Sequence, residues 1–230
     1  DCDVVDMQMI SDGVAELLTT TFDQLSAPLL QTVKIVSCLG SQVEESTIVS
    51  LDSKNLDFNM QNEMSQAVNE GIFERAGPIY QFSHDIIQQT IYELIPSQNR
   101  KLLHKTIGMN LLESAANNPT LYLLAVDQIN IFCKCGDPNL EECMQFAKDN
   151  ATAAKFAISA SSFERACSYI DMGMQLLDSQ SWETQYSLTL DLFEMSASVS
   201  FMHGKNDKLS MCLNEILSHA KTFDDSLMAS

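Results

Sequence analysis

A mainly α-helical chain with one small β-hairpin is what the sequence predicts, and three observations carry that expectation. Apolar residues recur at helical spacing through most of the 230 residues. Only two short segments depart toward alternation, Ile72-Phe73-Glu74-Arg75 and Ile79-Tyr80-Gln81-Phe82. From residue 139 onward every segment reads as helix, and an apolar pattern recurs after a shift of 43 residues.

The elements follow in chain order. Residues 1–12 read as a linker. Val14, Leu17, Leu18, Phe22 and Leu25 form the stripe of a first helix. Ser26-Ala27-Pro28 ends it and opens a second, since Ser caps and Pro is tolerated in a first turn. The second helix carries Leu29, Leu30, Val33, Val36 and Leu39 and stops at Gly40. A shorter helical piece surrounds Ile48, Val49 and Leu51. A third clear helix, expected to be capped by Asp57, has the stripe Met60, Met64, Ala67 and Val68 and ends at Gly71. Ala76-Gly77-Pro78 supplies the turn of the hairpin. Helix, helix, helix, hairpin is the order of a winged helix, expected over residues 13–95.

Pro96 interrupts the helix after the hairpin, and Ser97 is placed to cap the next, which carries Leu102, Leu103, Ile107, Leu111 and Leu112. Residues 96–135 read as connecting helices, broken at Asn117-Asn118-Pro119. Gly136-Asp137-Pro138 puts Asp137 at an N-cap and Pro138 at the first helical position. Helices are expected over 139–160, 162–178, 182–203 and 206–223, with Ser161 and Glu164 as a capping box. Ala166, Ile170, Gly173, Met174 and Leu177 resemble Leu209, Leu213, Ile216, Leu217 and Ala220. That recurrence implies stacked helical hairpins in a superhelix over residues 136–230.

Composition narrows the function. Net charge is −18, from 31 acidic against 13 basic residues, which opposes broad attraction to nucleic acid or to an anionic membrane. The would-be recognition helix, residues 58–70, has two Glu and no Lys or Arg, so a DNA-binding winged helix fails on phosphate neutralisation. No apolar run reaches the roughly 20 residues of a spanning helix. Asp1-Cys2-Asp3-Val4-Val5-Asp6 lacks the basic start of a secretory signal, and the missing initiator Met suggests a piece of a longer protein. Seven cysteines, odd in number and mostly at apolar helical positions, suggest reduced thiols and a cytoplasmic setting. Cys133, Cys135 and Cys143 lack a second close pair or a nearby His, so no metal site is expected.

One junction stands out. In Phe82-Ser83-His84-Asp85 a strand gives way to a helix: Ser83 can cap, and Asp85 complements the positive end of the helix dipole. His84 gains nothing from that dipole, whereas an imidazole N–H beside free helical amides suits a phosphate acceptor.

Phe82-Ser83-His84-Asp85, then Tyr92-Glu93, Ile95-Pro96 and Arg100-Lys101-Leu102-Leu103-His104, resemble a stretch of STAND signalling ATPases. These include maltose-regulator-like activators and large ATPases fused to kinases or cyclases. The resemblance spans roughly residues 13–112, with a looser likeness to tetratricopeptide-like (TPR-like) repeats thereafter. It implies that this region closes a winged-helix domain and that His84 contacts a phosphate of ADP or ATP held by an ATPase module. Asp85 would brace the motif, while Tyr92 and His104 would pack between helices. The phosphate-loop pattern G-x-x-x-x-G-K-[ST] does not occur in the chain, so ATP hydrolysis would belong to an upstream module. His203 and His219 lie in helical segments without a neighbouring nucleophile. The expected function is therefore non-catalytic regulation in a signalling ATPase, the winged helix sensing nucleotide and the helical repeats binding a protein or inhibitory surface. The competing expectation is a TPR-like scaffold with no link to nucleotide.

Overall fold

The computed structural model describes residues 20, 22, 24–52 and 58–222. The linker, most of the first expected helix and the Asp57 cap lie outside them. The described residues form a mainly helical protein with eleven helices and three short strands. They divide into two compact units, residues 1–116 with 127–136, and residues 117–126 with 137–230. Residues 96–116, read from the sequence as part of a connection, thus group with the first unit. Among the described residues no helix is long and apolar enough to cross a membrane.

The first unit begins with α1 (Ala27–Leu39), capped as expected by the Ser26 hydroxyl, which accepts a hydrogen bond from the Leu29 amide at 3.3 Å. There follow β1 (Gln42–Glu44), α2 (Glu45–Asp52), α3 (Met60–Asn69), β2 (Phe73–Ala76), β3 (Ile79–Phe82), α4 (Asp85–Glu93) and α5 (Ser97–Ser114). Leu29, Val33 and Val36 of α1 are buried, as are Met60, Met64 and Ala67 of α3 and Ile91 of α4. Each such Leu, Val, Met or Ile side chain stabilises by about 1.5–3 kcal/mol through apolar burial.

β1 was not anticipated. It is three residues long and buries only Val43, too little for an alternation to show. It pairs antiparallel with β3, Val43 opposite Tyr80, and gives the sheet order β1-β3-β2. Ala76 pairs with Ile79, so it belongs to β2 and the turn contracts to Gly77-Pro78, where Gly77 at φ +61° supplies the positive first angle of a two-residue loop. The cap of α3 is Asn59, whose side chain accepts from the Asn62 amide at 2.8 Å. Asp52 takes the Met60 amide of the same helix end at 2.8 Å. Pro96 occupies the cap position of α5 and Ser97 is already helical.

Helix α6 (Pro119–Cys135) is shared between the units, residues 119–126 with the second and 127–135 with the first. Asn118 caps it by accepting the Leu121 amide at 3.1 Å.

The second unit continues with α7 (Leu140–Ser159), α8 (Phe163–Gln175), the single turn α9 (Ser181–Thr184), α10 (Tyr186–Met202) and α11 (Asn206–His219). α7 packs on α8 as one antiparallel pair and α10 on α11 as another, while α8 packs on α10. Asn139, not Asp137, caps α7: its side chain accepts the Glu142 amide at 3.0 Å, and Glu142 accepts the Asn139 amide at 3.2 Å. This reciprocal pair satisfies two orphan amides at once, which a lone Asp137 would not do.

The Ser161–Glu164 capping box does not form. Ser161 closes the preceding helix instead, with φ +57°. Its amide reaches the Ile158 carbonyl at 2.9 Å and the Ser162 amide reaches Ala157 at 2.8 Å, the paired bonds of a Schellman end.

A buried carboxylate sits between α6 and α7. The Tyr122 hydroxyl donates to Asp149 at 3.0 Å, and Gln145 donates to the same carboxylate from 3.3 Å. Burial pushes the Asp149 carboxyl up from its ordinary value and, with that carboxylate beside it, pushes the Tyr122 phenol up as well. The folded protein therefore holds the Asp149 proton over a range in which the unfolded chain has lost it, and this contribution to stability disappears as pH rises through the folded value. Asp149→Asn is expected to flatten the fall in urea midpoint above about pH 4, because an amide oxygen still accepts from Tyr122. Asp149→Leu removes the acceptor of that hydroxyl's proton and is expected to cost about 1–3 kcal/mol at every pH. An unchanged pH slope in the Asn variant contradicts the assignment.

Candidate functional site

The junction between β3 and α4 is held from both sides. On the strand side the Phe73 and Phe82 rings pack with centroids 4.2 Å apart, and the Phe82 amide donates to the Ser41 carbonyl at 3.0 Å. On the other side α3 ends in a Schellman pair, Gly71 to Val68 at 3.0 Å and Ile72 to Ala67 at 2.9 Å. That end places two carbonyls against Ser83. Its amide donates to Ile72 at 3.0 Å and its hydroxyl donates to Gly71 at 2.8 Å. Ser83 is therefore a brace, and the expectation that its hydroxyl caps α4 is corrected: the hydroxyl is spent on Gly71.

His84 takes the cap position itself. Its backbone is extended, φ −147° and ψ 143°, and its carbonyl accepts the first helical bond from Ile87 at 3.0 Å. The His84 side chain makes no capping hydrogen bond, and with the Ile87 amide spent on the His84 carbonyl, the Asp85 and Ile86 amides are the ones left to solvent or a ligand. His84 is exposed at this helix end, and so is Asp85 in the first turn. The site thus sets an imidazole donor and a helix end worth about half a positive charge against one carboxylate. By itself that arrangement attracts a phosphate only weakly, and a strong site needs further cations. Arg75 does not supply one, because its guanidinium is engaged by Glu45 with two bonds of 2.9 Å.

Tyr92 and His104 lie apart from this end, in a chain of hydrogen bonds whose direction can be derived. The Cys38 carbonyl can only accept, so Gln128 turns its amide nitrogen toward it at 3.1 Å. The Gln128 oxygen then faces His104 Nδ1 at 2.7 Å, which must carry the proton. Nε2 is left as an acceptor, and the Tyr92 hydroxyl donates to it at 2.9 Å. Burial holds the His104 imidazole below its ordinary pKa and therefore neutral, in agreement with this tautomer. Arg100 stacks over the Tyr92 ring at 4.3 Å and donates to the Ile95 carbonyl at 3.0 Å. These residues bind helices together. Gln128 was not singled out from the sequence, since nothing local marks a partner 24 residues away.

The remaining candidates behave as packing residues. His203 is exposed beside the Phe163 ring, centroids 6.1 Å apart, and His219 stacks flat on Trp182 at 4.7 Å. Among the described residues no group of three or more His, Cys, Asp or Glu is placed to hold a metal. Cys133, Cys135 and Cys143 form no disulfide among the described residues. Cys38 is pushed up to about 12 by burial, which leaves no reactive thiolate. No protein-family model, curated protein or solved structure matches the chain.

Proposed function

We propose that the chain is a non-catalytic regulatory segment of a multidomain STAND-type signalling ATPase. The first unit is a winged-helix domain that senses bound ADP or ATP through His84. The second is a TPR-like helical array that contacts a protein partner or an inhibitory surface of the same molecule, in the cytoplasm.

The exposed imidazole at the uncapped start of α4 is the observation that carries this reading. Had His84 been packed inside the unit, no neighbouring module could reach it. The order α1, β1, α2, α3, β2, β3 with sheet order β1-β3-β2 supports the winged helix. The TPR-like reading draws on helix boundaries: α7 ends at Ser159 and α10 at Met202, α8 starts at Phe163 and α11 at Asn206, and both differences are 43 residues. The same shift carries Ser161 onto Gly204, at φ +57° and +65°, each closing its helix with the same pair of bonds. Equivalent turns at a constant period are what stacked helical hairpins require.

Because Arg75 is engaged by Glu45, the nucleotide would be held chiefly by an upstream phosphate-loop module. In a longer chain containing that module, His84→Ala is expected to weaken ADP retention by about 10- to 100-fold, the value of one hydrogen bond to a charged acceptor. His84→Gln keeps an N–H donor and is expected to retain most of the affinity. Equal ADP affinity for wild type and His84→Ala, measured by isothermal titration, rejects the sensor and leaves the helical array as a scaffold without a nucleotide link.

A further inference from the structure

We propose that the groove between α1 and α5 is a docking site for an acidic, amphipathic helix of a protein partner. This surface lies in the first unit and does not depend on the nucleotide reading. The groove encloses about 310 Å³ and is lined by Ile35, Ile95, Leu102 and Leu103 with Lys34 and Asn99 among its polar residues. That volume is at the lower edge for a small-molecule site, which suits a few inserted side chains better than an engulfed ligand.

Two features select the occupant. The first is an apolar stripe that continues past the groove along α5. Leu102 is 57% exposed and Met109 44%. Seven residues apart, they sit two turns along one face, about 10 Å from each other. Single exposed apolar residues are ordinary, but two in register beside an apolar trough match the anchor spacing of a helix laid in a groove.

The second feature is charge. Of the residues lining the groove Lys34 alone is charged. α1 and α5 together carry Lys34, Arg100, Lys101 and Lys105 against the single acid Glu113, whereas the whole chain stands at −18. A basic partner would be drawn to the acidic surface at large. An acidic one is repelled by the net charge of the molecule and attracted locally by Lys34, so the same charge that lowers its general affinity favours this groove over the rest of the surface.

The test uses the whole chain and a fluorescein-labelled synthetic helix of about 18 residues, long enough to fold on contact, with leucines at i, i+3, i+4 and i+7 and glutamates elsewhere. Fluorescence anisotropy is expected to show saturable binding that Leu102→Glu and Lys34→Glu each weaken at least tenfold. A peptide of identical composition in scrambled order is expected to bind at least tenfold more weakly. Leu102→Ala, at an exposed position, serves where a charged substitution disturbs folding, and circular dichroism checks each variant. The proposal is overturned by equal binding of the scrambled peptide or by unchanged affinity in the Leu102 and Lys34 variants. It is also overturned if decanoate binds at this groove while the peptide does not, which would make the site one for a small amphiphile.

Discussion

His104→Leu is expected to destabilise the first unit by about 3 kcal/mol, read as a lower urea midpoint and as lost amide protection in α1, α4 and α5. The imidazole is 2% exposed and is the middle member of a chain in which every donor has one acceptor. Leucine replaces most of its volume, so a cavity contributes little. The cost arises because the buried Gln128 carbonyl loses its donor and the half-buried Tyr92 hydroxyl loses the acceptor of its proton, at about 1–3 kcal/mol each. Tyr92→Phe removes one donor and leaves one orphan acceptor, so it should cost roughly half as much, and the two substitutions combined should fall well short of additive. The pH dependence has a definite sign. With its folded pKa held below the ordinary value, His104 stays neutral while the unfolded chain takes up a proton, so stability is lost as pH falls from about 6.5 toward the folded value. His104→Leu should lose that part of the acid slope. Retention of the full slope would show that another group titrates.

The first unit was legible where sequence signals are local. Ser26 caps α1 because a serine before a proline-initiated helix has one obvious use. The two strands of the hairpin and the exposed setting of His84 were readable because strand pattern, turn and helix start follow one another within a dozen residues. Misreadings occurred where two local uses competed. Ser83 can cap or brace, and the Gly71 carbonyl decided it. Ser161 can open one helix or close another, and the geometry of two helices meeting in three residues decided that. What was not legible depends on distance along the chain: Gln128 closing a network begun at Tyr92, His219 laid flat on Trp182, and β1 paired with the far strand of the hairpin. Through-space partners leave no trace in a single sequence unless the residue types themselves are unusual.

The second large effect falls where α8 crosses α10. Leu192 is 0% exposed, and Leu192→Ala is expected to cost about 3 kcal/mol, the transfer of a leucine plus the void it leaves. Gly173 is the reason the helices approach so closely there. A β-carbon at that position would lie 2.9 Å from one Leu192 methyl, 3.3 Å from the other and 3.4 Å from the Asn150 β-carbon. Alanine gains about 1 kcal/mol over glycine in a helix, but forcing a methyl into a filled site costs about 1–3 kcal/mol, so Gly173→Ala should be net destabilising. Combining the two tests the contact directly. Truncating Leu192 removes the atoms that the new methyl would strike, and the methyl in turn refills part of the void, so the double variant should be more stable than the sum by about 1 kcal/mol or more. Trp182, the chain's single tryptophan, packs against Phe193 at 5.2 Å, next to Leu192, and its fluorescence during urea unfolding reports this crossing. Strict additivity would mean that the helices part without resistance, in which case glycine at 173 serves no packing purpose and the pattern it shares with Ile216 is accidental.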